Sequence, residues 1–250
     1  MFEHFFSHYS MLPENHIGFT LYGRLHLTWL AGLFVAGVLV ALYYKQLLIE
    51  QRRNFRKVMA VIMVALEVIK DLIIASSGNF NASYLPFHLC GISLFVILIH
   101  AFSESKFWAE ASYVICLPGA LAALLFADWT VYPLLNFMHM HSFTIHAMII
   151  LYPVLLLVGR EYQPNLRYYP KVLLFVVSLA IPIFIFNKLF NTNFFFINWP
   201  SPGSPLVIFE QWLGNPGYLI PLAGLLLVVM ALMYLPFVFN KKQRTTLFSR

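Results

Sequence analysis

Charge is what this chain has least of. Only 10% of its 250 residues are Asp, Glu, Lys or Arg, against about 25% in an average soluble chain. Hydrophobic residues make up 60%, and mean hydropathy is +0.76. So few charges cannot coat a soluble globule of this size, and the apolar surface has to meet lipid. Cysteine is equally scarce: Cys90 and Cys116 both sit inside apolar runs. Two such residues exclude a disulfide framework and read by default as small core residues. The stretch from Met1 to Asn15 lacks the basic head and apolar run of a cleavable signal peptide. There is no internal repeat and no low-complexity segment. The net charge of +6 and pI of about 9.3 do not call for nucleic acid, because the basic residues lie in short blocks beside apolar runs. That pattern is a membrane topology signal. No cofactor motif is present.

A spanning helix needs about 20 mostly apolar residues. Seven stretches qualify: Leu25–Tyr44, Val58–Ala75, Pro86–Phe102, Trp108–Ala127, Met140–Val158, Tyr169–Asn187 and Tyr218–Phe239. The expected fold is an all-α integral membrane bundle of about seven helices, one domain over residues 1–250. A long extracytoplasmic loop covers about 188–217. With the N-terminus outside, the cytoplasmic side holds Lys45, Arg52, Arg53, Arg56, Lys57, Lys106, Arg160, Arg167, Lys171, Lys241, Lys242, Arg244 and Arg250. The outer side holds only Arg24 and Lys188, and Lys70 lies within a helix. This asymmetry follows the enrichment of Lys and Arg in cytoplasmic loops and supports both count and orientation.

Ionisable groups inside a spanning helix are costly, about 2.5–3.5 kcal/mol at the centre, and need a reason. Glu67, Lys70 and Asp71 are three and four residues apart and share a face of the second helix. His88 and Cys90 open the third, and His139, His141 and His146 lie in the fifth. Asn187 ends the sixth, and His26 begins the first. With alternating helix directions, all fall in the outer half of the membrane. Cys116 lies in the inner half among apolar neighbours. His139 and His146, seven apart, share a face; His141 points nearly the other way. Cys90 with His146 is therefore the plausible dyad, the imidazole taking the thiol proton to make the nucleophile. The plainer readings are a packing ion pair for the acidic trio, snorkelling histidines and a core Cys90.

The segment Leu85-Pro86-Phe87-His88-Leu89-Cys90 resembles the start of a helix in the YwaF family of bacterial integral membrane proteins. The run from Asn136 to Pro153, with Ile145-His146-Ala147-Met148, resembles that family's His-rich helix. Asn193-Phe194-Phe195-Phe196, Pro200 and Ser204-Pro205-Leu206 resemble its long outer loop. The loop closes with Gly214-Asn215-Pro216-Gly217 where the family has Gly-Pro-Trp. The YwaF family is in turn distantly similar to a eukaryotic transmembrane ether-lysophospholipid acyltransferase, of the transmembrane protein 164 family. That resemblance implies a Cys nucleophile at Cys90, a His base at His146 and a bacterial plasma-membrane location.

Four expectations follow. The leading one is a lipid acyltransferase or acyl hydrolase at the outer leaflet, acting through an acyl-thioester on Cys90 with membrane lipids as substrates. His88, His139, Asn187 and Asn193 would be supporting residues, and Glu67, Lys70 and Asp71 would hold a headgroup or the helix geometry. The second is a transporter using Glu67, Lys70 and Asp71; a polar layer confined to the outer half, without paired repeats, argues against it. The third is a zinc hydrolase using His88, His139, His141, His146 and Asp71, among which there is no His-x-x-x-His pair. The fourth is a non-enzymatic scaffold. The assignment carries no metal and no cofactor.

Overall fold

A computed structural model describes residues 4–13 and 18–238, and all regular structure in them is helical. The helices are α1 (Arg24–Gln46), α2 (Ile49–Ser76), α3 (Leu89–Ser103), α4 (Lys106–Leu125), α5 (Phe137–Val158) and α6 (Tyr169–Phe190). Three shorter ones follow: α7 (Leu206–Leu213), α8 (Leu219–Leu232) and α9 (Leu235–Val238). Lys241, Lys242, Arg244, Arg250 and the expected helix end at Phe239 lie outside the described residues.

Each expected span has a helix, but among the described residues five helices are long and apolar enough to cross a membrane by length and composition. These are α1, α4, α5, the segment containing α6, and α8 with α9. Two fail for separate reasons. The apolar part of α2 carries Glu67, Lys70 and Asp71. Helix α3 has only 15 residues, because it begins at Leu89 and not at Pro86. A proline disfavours helical backbone in the residue before it, and Pro86 keeps the chain in the turn region ahead of His88. The 188–217 loop also departs from expectation. Helix α6 continues to Phe190, ending on Asn191 in the left-handed region, and the loop holds α7 and a 3-10 turn at Phe194–Phe196.

Local signals set the boundaries that matter most. Asn136 caps α5, its side chain accepting from the Met138 N–H at 2.8 Å. Pro153 and Pro182 sit inside α5 and α6, as membrane helices tolerate. Within α4, residues Ser112–Cys116 form a π turn. Helices α4 and α5 are the most enclosed of the candidate spans, about half of each apolar window being buried, whereas for α1 only 6% is. The main core gathers Met63, Ile97, Ile149, Tyr152, Leu155 and Leu156 from α2, α3 and α5. Helix α1 packs on α5 by one side and shows Phe34, Leu39 and Leu42 on the other. This makes the chain a multi-pass membrane protein.

Candidate functional site

Glu67, Lys70 and Asp71 of α2 form one ion-pair group. Lys70 Nζ lies 2.5 Å from Glu67 Oε1 and 3.3 Å from Asp71 Oδ1, and all three are mostly shielded. Pairing offsets the cost of taking these charges out of water. The group reaches α5 through His141, whose Nε2 sits 3.4 Å from the other Glu67 oxygen without the angle of a hydrogen bond.

Cys90 occupies the second position of α3, directly after His88, which caps the helix through its backbone alone. The amide N–H groups of Leu89, Cys90 and Gly91 therefore precede the first intrahelical bond, from Ile92 N–H to the His88 carbonyl. Gly91 is required there: a Cβ would stand 2.8 Å from the Pro86 carbonyl oxygen. Cys90 is half-buried, whereas Cys116 is 2% exposed. Cys90 lies within electrostatic reach of Glu67, Lys70 and Asp128.

His146 lies within reach of the same Glu67 and Lys70. Its Nδ1–H donates to the Ser142 carbonyl at 2.7 Å, one turn earlier in α5. That bond fixes the tautomer and leaves Nε2 with a free lone pair, as a general base requires. Among the described residues no hydrogen bond joins Cys90 to His146; such contacts are often loose until substrate binds. His88 also lies within range of Lys70 and His146, and its ring packs on Phe194 at 4.9 Å and on Phe196 at 5.5 Å. One locus thus collects Glu67, Lys70, His88, Cys90, His141 and His146.

The other expected residues are placed differently. His139 donates to the Tyr132 carbonyl at 3.1 Å and is enclosed by the rings of Phe19, Trp29 and Phe143. His26 is fully buried, accepting from the Tyr22 N–H at 2.9 Å and donating to the Leu124 carbonyl at 2.8 Å. It fastens α1 to the end of α4. Asn187 and Asn193 spend their amides on the loop. Asn187 Oδ1 accepts from Thr192 Oγ1 and the Phe194 N–H, and its Nδ2 donates to the Phe194 carbonyl. Asn193 holds Asn198 and Trp199 in the same way. Both position the wall that carries Phe194 against His88.

Three features escaped sequence reasoning. Trp129 is 7% exposed and stacks on His146, with centroids 5.0 Å apart and planes 9° apart; nothing in the pattern of a loop residue signals this. Residues 4–13 also fold over the end of α5. The Asn136 Nδ2 group donates to the His4 and Ser7 carbonyls, and Phe137 N–H donates to Phe5. Third, the polar groups are not confined to one half of the bundle. At the opposite end Arg56, 3% exposed, pairs with Glu161 and with Glu104 at 3.0 Å, and Tyr44 donates to Glu161 at 2.7 Å. His100 meets Tyr152 at 2.8 Å, and the fully buried Glu110 accepts from Asn165 N–H at 3.2 Å. His100 and Glu110 were visible in the sequence as ionisable groups in apolar runs, which is the signal that finds them.

Among the described residues no group of three or more His, Cys, Asp or Glu side chains is arranged to hold a metal ion. No curated protein and no solved structure matches the chain. One family model does, that of the TMEM164 family, over residues 21–234. That match takes in α1 to α8 and every residue of the locus around Cys90, and the protein belongs to the TMEM164 family.

Proposed function

We propose that the protein is a membrane-embedded acyl-transfer enzyme, a lipid acyltransferase or acyl hydrolase, with Cys90 as nucleophile and His146 as base. The observation that carries this reading is that both residues lie within reach of one ionic group, Glu67 and Lys70, while His146 is held with Nε2 free. Its Nε2 takes the Cys90 proton, and the thiolate attacks the carbonyl carbon of a lipid ester. The carbonyl oxygen gains charge and is met by first-turn amides of α3, whose helix dipole also favours the thiolate. The carbon–oxygen bond of the ester then breaks, and the departing alcohol takes the proton from His146. An acyl-thioester remains on Cys90. A lysolipid hydroxyl or water, deprotonated by His146, attacks the thioester and returns Cys90.

In this reading His88, His139, Asn187 and Asn193 are positioning residues. Glu67, Lys70 and Asp71 hold α2 against α5 and offer charge to a headgroup. The membrane carries seven crossings, α2 and α3 included, with the N-terminus outside and the C-terminus in the cytoplasm of a bacterial plasma membrane. Membrane lipids are the substrates.

The test is a hydroxylamine-labile acyl adduct, sought by peptide mass spectrometry on protein purified with its lipids. An adduct on Cys90 is expected in the parent and in Cys116→Ser, and none in Cys90→Ala or His146→Ala. An unmodified, unreactive Cys90 in the parent protein removes the reading. The buried groups at the opposite end of the bundle favour one alternative, a transporter with polar groups along its length. Flux in proteoliposomes that depends on Asp71 and ignores Cys90 supports that alternative.

A further inference from the structure

Helix α1 carries a cavity of about 430 Å³ lined by Leu25, Thr28, Trp29, Gly32, Leu33 and Leu134. We propose that this groove, headed by Arg24, is a binding site for one phospholipid of the surrounding bilayer, with its phosphate at Arg24 and one hydrocarbon chain along the groove. The inference goes beyond the catalytic reading and does not depend on it.

The occupant follows from position and chemistry. The groove opens on the face of the least buried candidate span, so what meets it in a membrane is lipid. Its volume falls in the range of small-molecule sites. The lining is mostly apolar, and its one hydroxyl, Thr28 Oγ1, already donates to the Arg24 carbonyl at 2.8 Å. Gly32 leaves the space open: nothing lies within 4 Å of where its Cβ would be. Leu25, Trp29 and Leu33 form one row of the helix surface and Arg24, Thr28 and Gly32 the next, each at intervals of four. From Arg24 to Leu33 the helix rises about 13 Å, a length that suits a chain lying along the axis.

The head of the groove supplies the charge complement. Arg24 is exposed and, among the described residues, its guanidinium has no carboxylate or hydrogen-bond partner. A planar guanidinium matches phosphate in a bidentate way. The floor leads towards the site: Trp29 stacks on Phe143 at 4.9 Å, Phe143 meets Trp129 edge-on at 5.3 Å, and Trp129 stacks on His146. Three rings in succession, Trp29, Phe143 and Trp129, separate a chain held here from the proposed base.

The experiment uses the full chain in nanodiscs containing phosphatidylcholine with a photoactivatable diazirine in one acyl chain. Crosslinks are mapped by peptide mass spectrometry, with the lipid-exposed Leu174 and Ile181 of α6 as the reference for bulk lipid. Labelling is expected to concentrate on Thr28–Leu33 and Leu134, and to fall to the reference level in Gly32→Phe. Leu134→Trp, which fills the groove from the other wall, provides a second variant should Gly32→Phe fail to fold. Arg24→Gln is expected to lower groove labelling about tenfold, the worth of one charge-assisted contact. Equal labelling of groove and reference in the parent, or labelling indifferent to both filling variants, overturns the proposal. Cys90→Ala leaves the labelling unchanged. Groove labelling without any Cys90 adduct upholds the lipid site and sinks the catalytic reading alone.

Discussion

At the scale of single residues the site depends on side chains that prepare others. The ring of Trp129 lies flat on the His146 imidazole while the Ser142 carbonyl holds its Nδ1–H. Stack and hydrogen bond together fix where Nε2 points. An aromatic pair of this kind is worth about 0.5–1.5 kcal/mol beyond its buried area, and tenfold in rate corresponds to about 1.4 kcal/mol. Trp129→Leu is therefore expected to slow acylation of Cys90 up to about tenfold, with Trp129→Phe keeping most of the rate. Equal rates in the two variants would show that the ring acts by bulk alone. That both cysteines lie in apolar runs was legible in the sequence, whereas the company of Cys90 (Glu67 and Lys70 of α2, Asp128 beyond α4) comes from other elements. Trp129 was not, because its partner belongs to another element. Asn187 and Asn193 are expected from the sequence as supporting residues; the hydrogen bonds that occupy them arise only once the loop has turned back on α6.

At the scale of elements the segment of residues 4–13 acts as a lid on the end of α5. His8 is its pin. Its Nδ1 accepts from the Ser10 N–H at 3.3 Å, so in the neutral ring Nε2 donates to the Tyr84 hydroxyl. Burial lowers the His8 pKa below the ordinary value of 6.5. A depressed histidine stabilises the lid in full above the unfolded pKa and loses that contribution as pH falls through the folded one. Amide exchange of residues 4–13, corrected for the intrinsic pH effect, is thus expected to accelerate between pH 7 and pH 5, and His8→Gln to remove the difference. Exchange that ignores pH would mean that the Asn136 contacts alone hold the lid. Element existence was legible from apolar runs for every helix except α7. Boundaries were less so, since the start of α3 is set by turn geometry after Pro86, and hydropathy is blind to it.

At the scale of the whole molecule the distribution of charge and the packing describe one object from two sides. The proposed orientation rests on the basic blocks, and the Arg56–Glu161–Glu104 group joins α2 to the loops that follow α3 and α5 at one end of the bundle. Seven crossings with the N-terminus outside make a definite expectation for labelling from outside intact cells, in a background with both native cysteines replaced by serine. A membrane-impermeant maleimide should modify the Phe6→Cys protein at once and the Lys45→Cys protein only after permeabilisation. The reverse pattern inverts the orientation, and labelling of both without permeabilisation means an even number of crossings between the two positions. The π turn at Ser112–Cys116 bears on the whole arrangement in a further way. Each of its hydrogen bonds spans one residue more than an α-helical bond, and one residue turns a helix by about 100°. The heading of everything beyond it, from the Leu124 carbonyl that receives His26 to the ring of Trp129 against His146, therefore depends on a count of residues in the middle of α4. A change in chain length of a single residue there turns the site away.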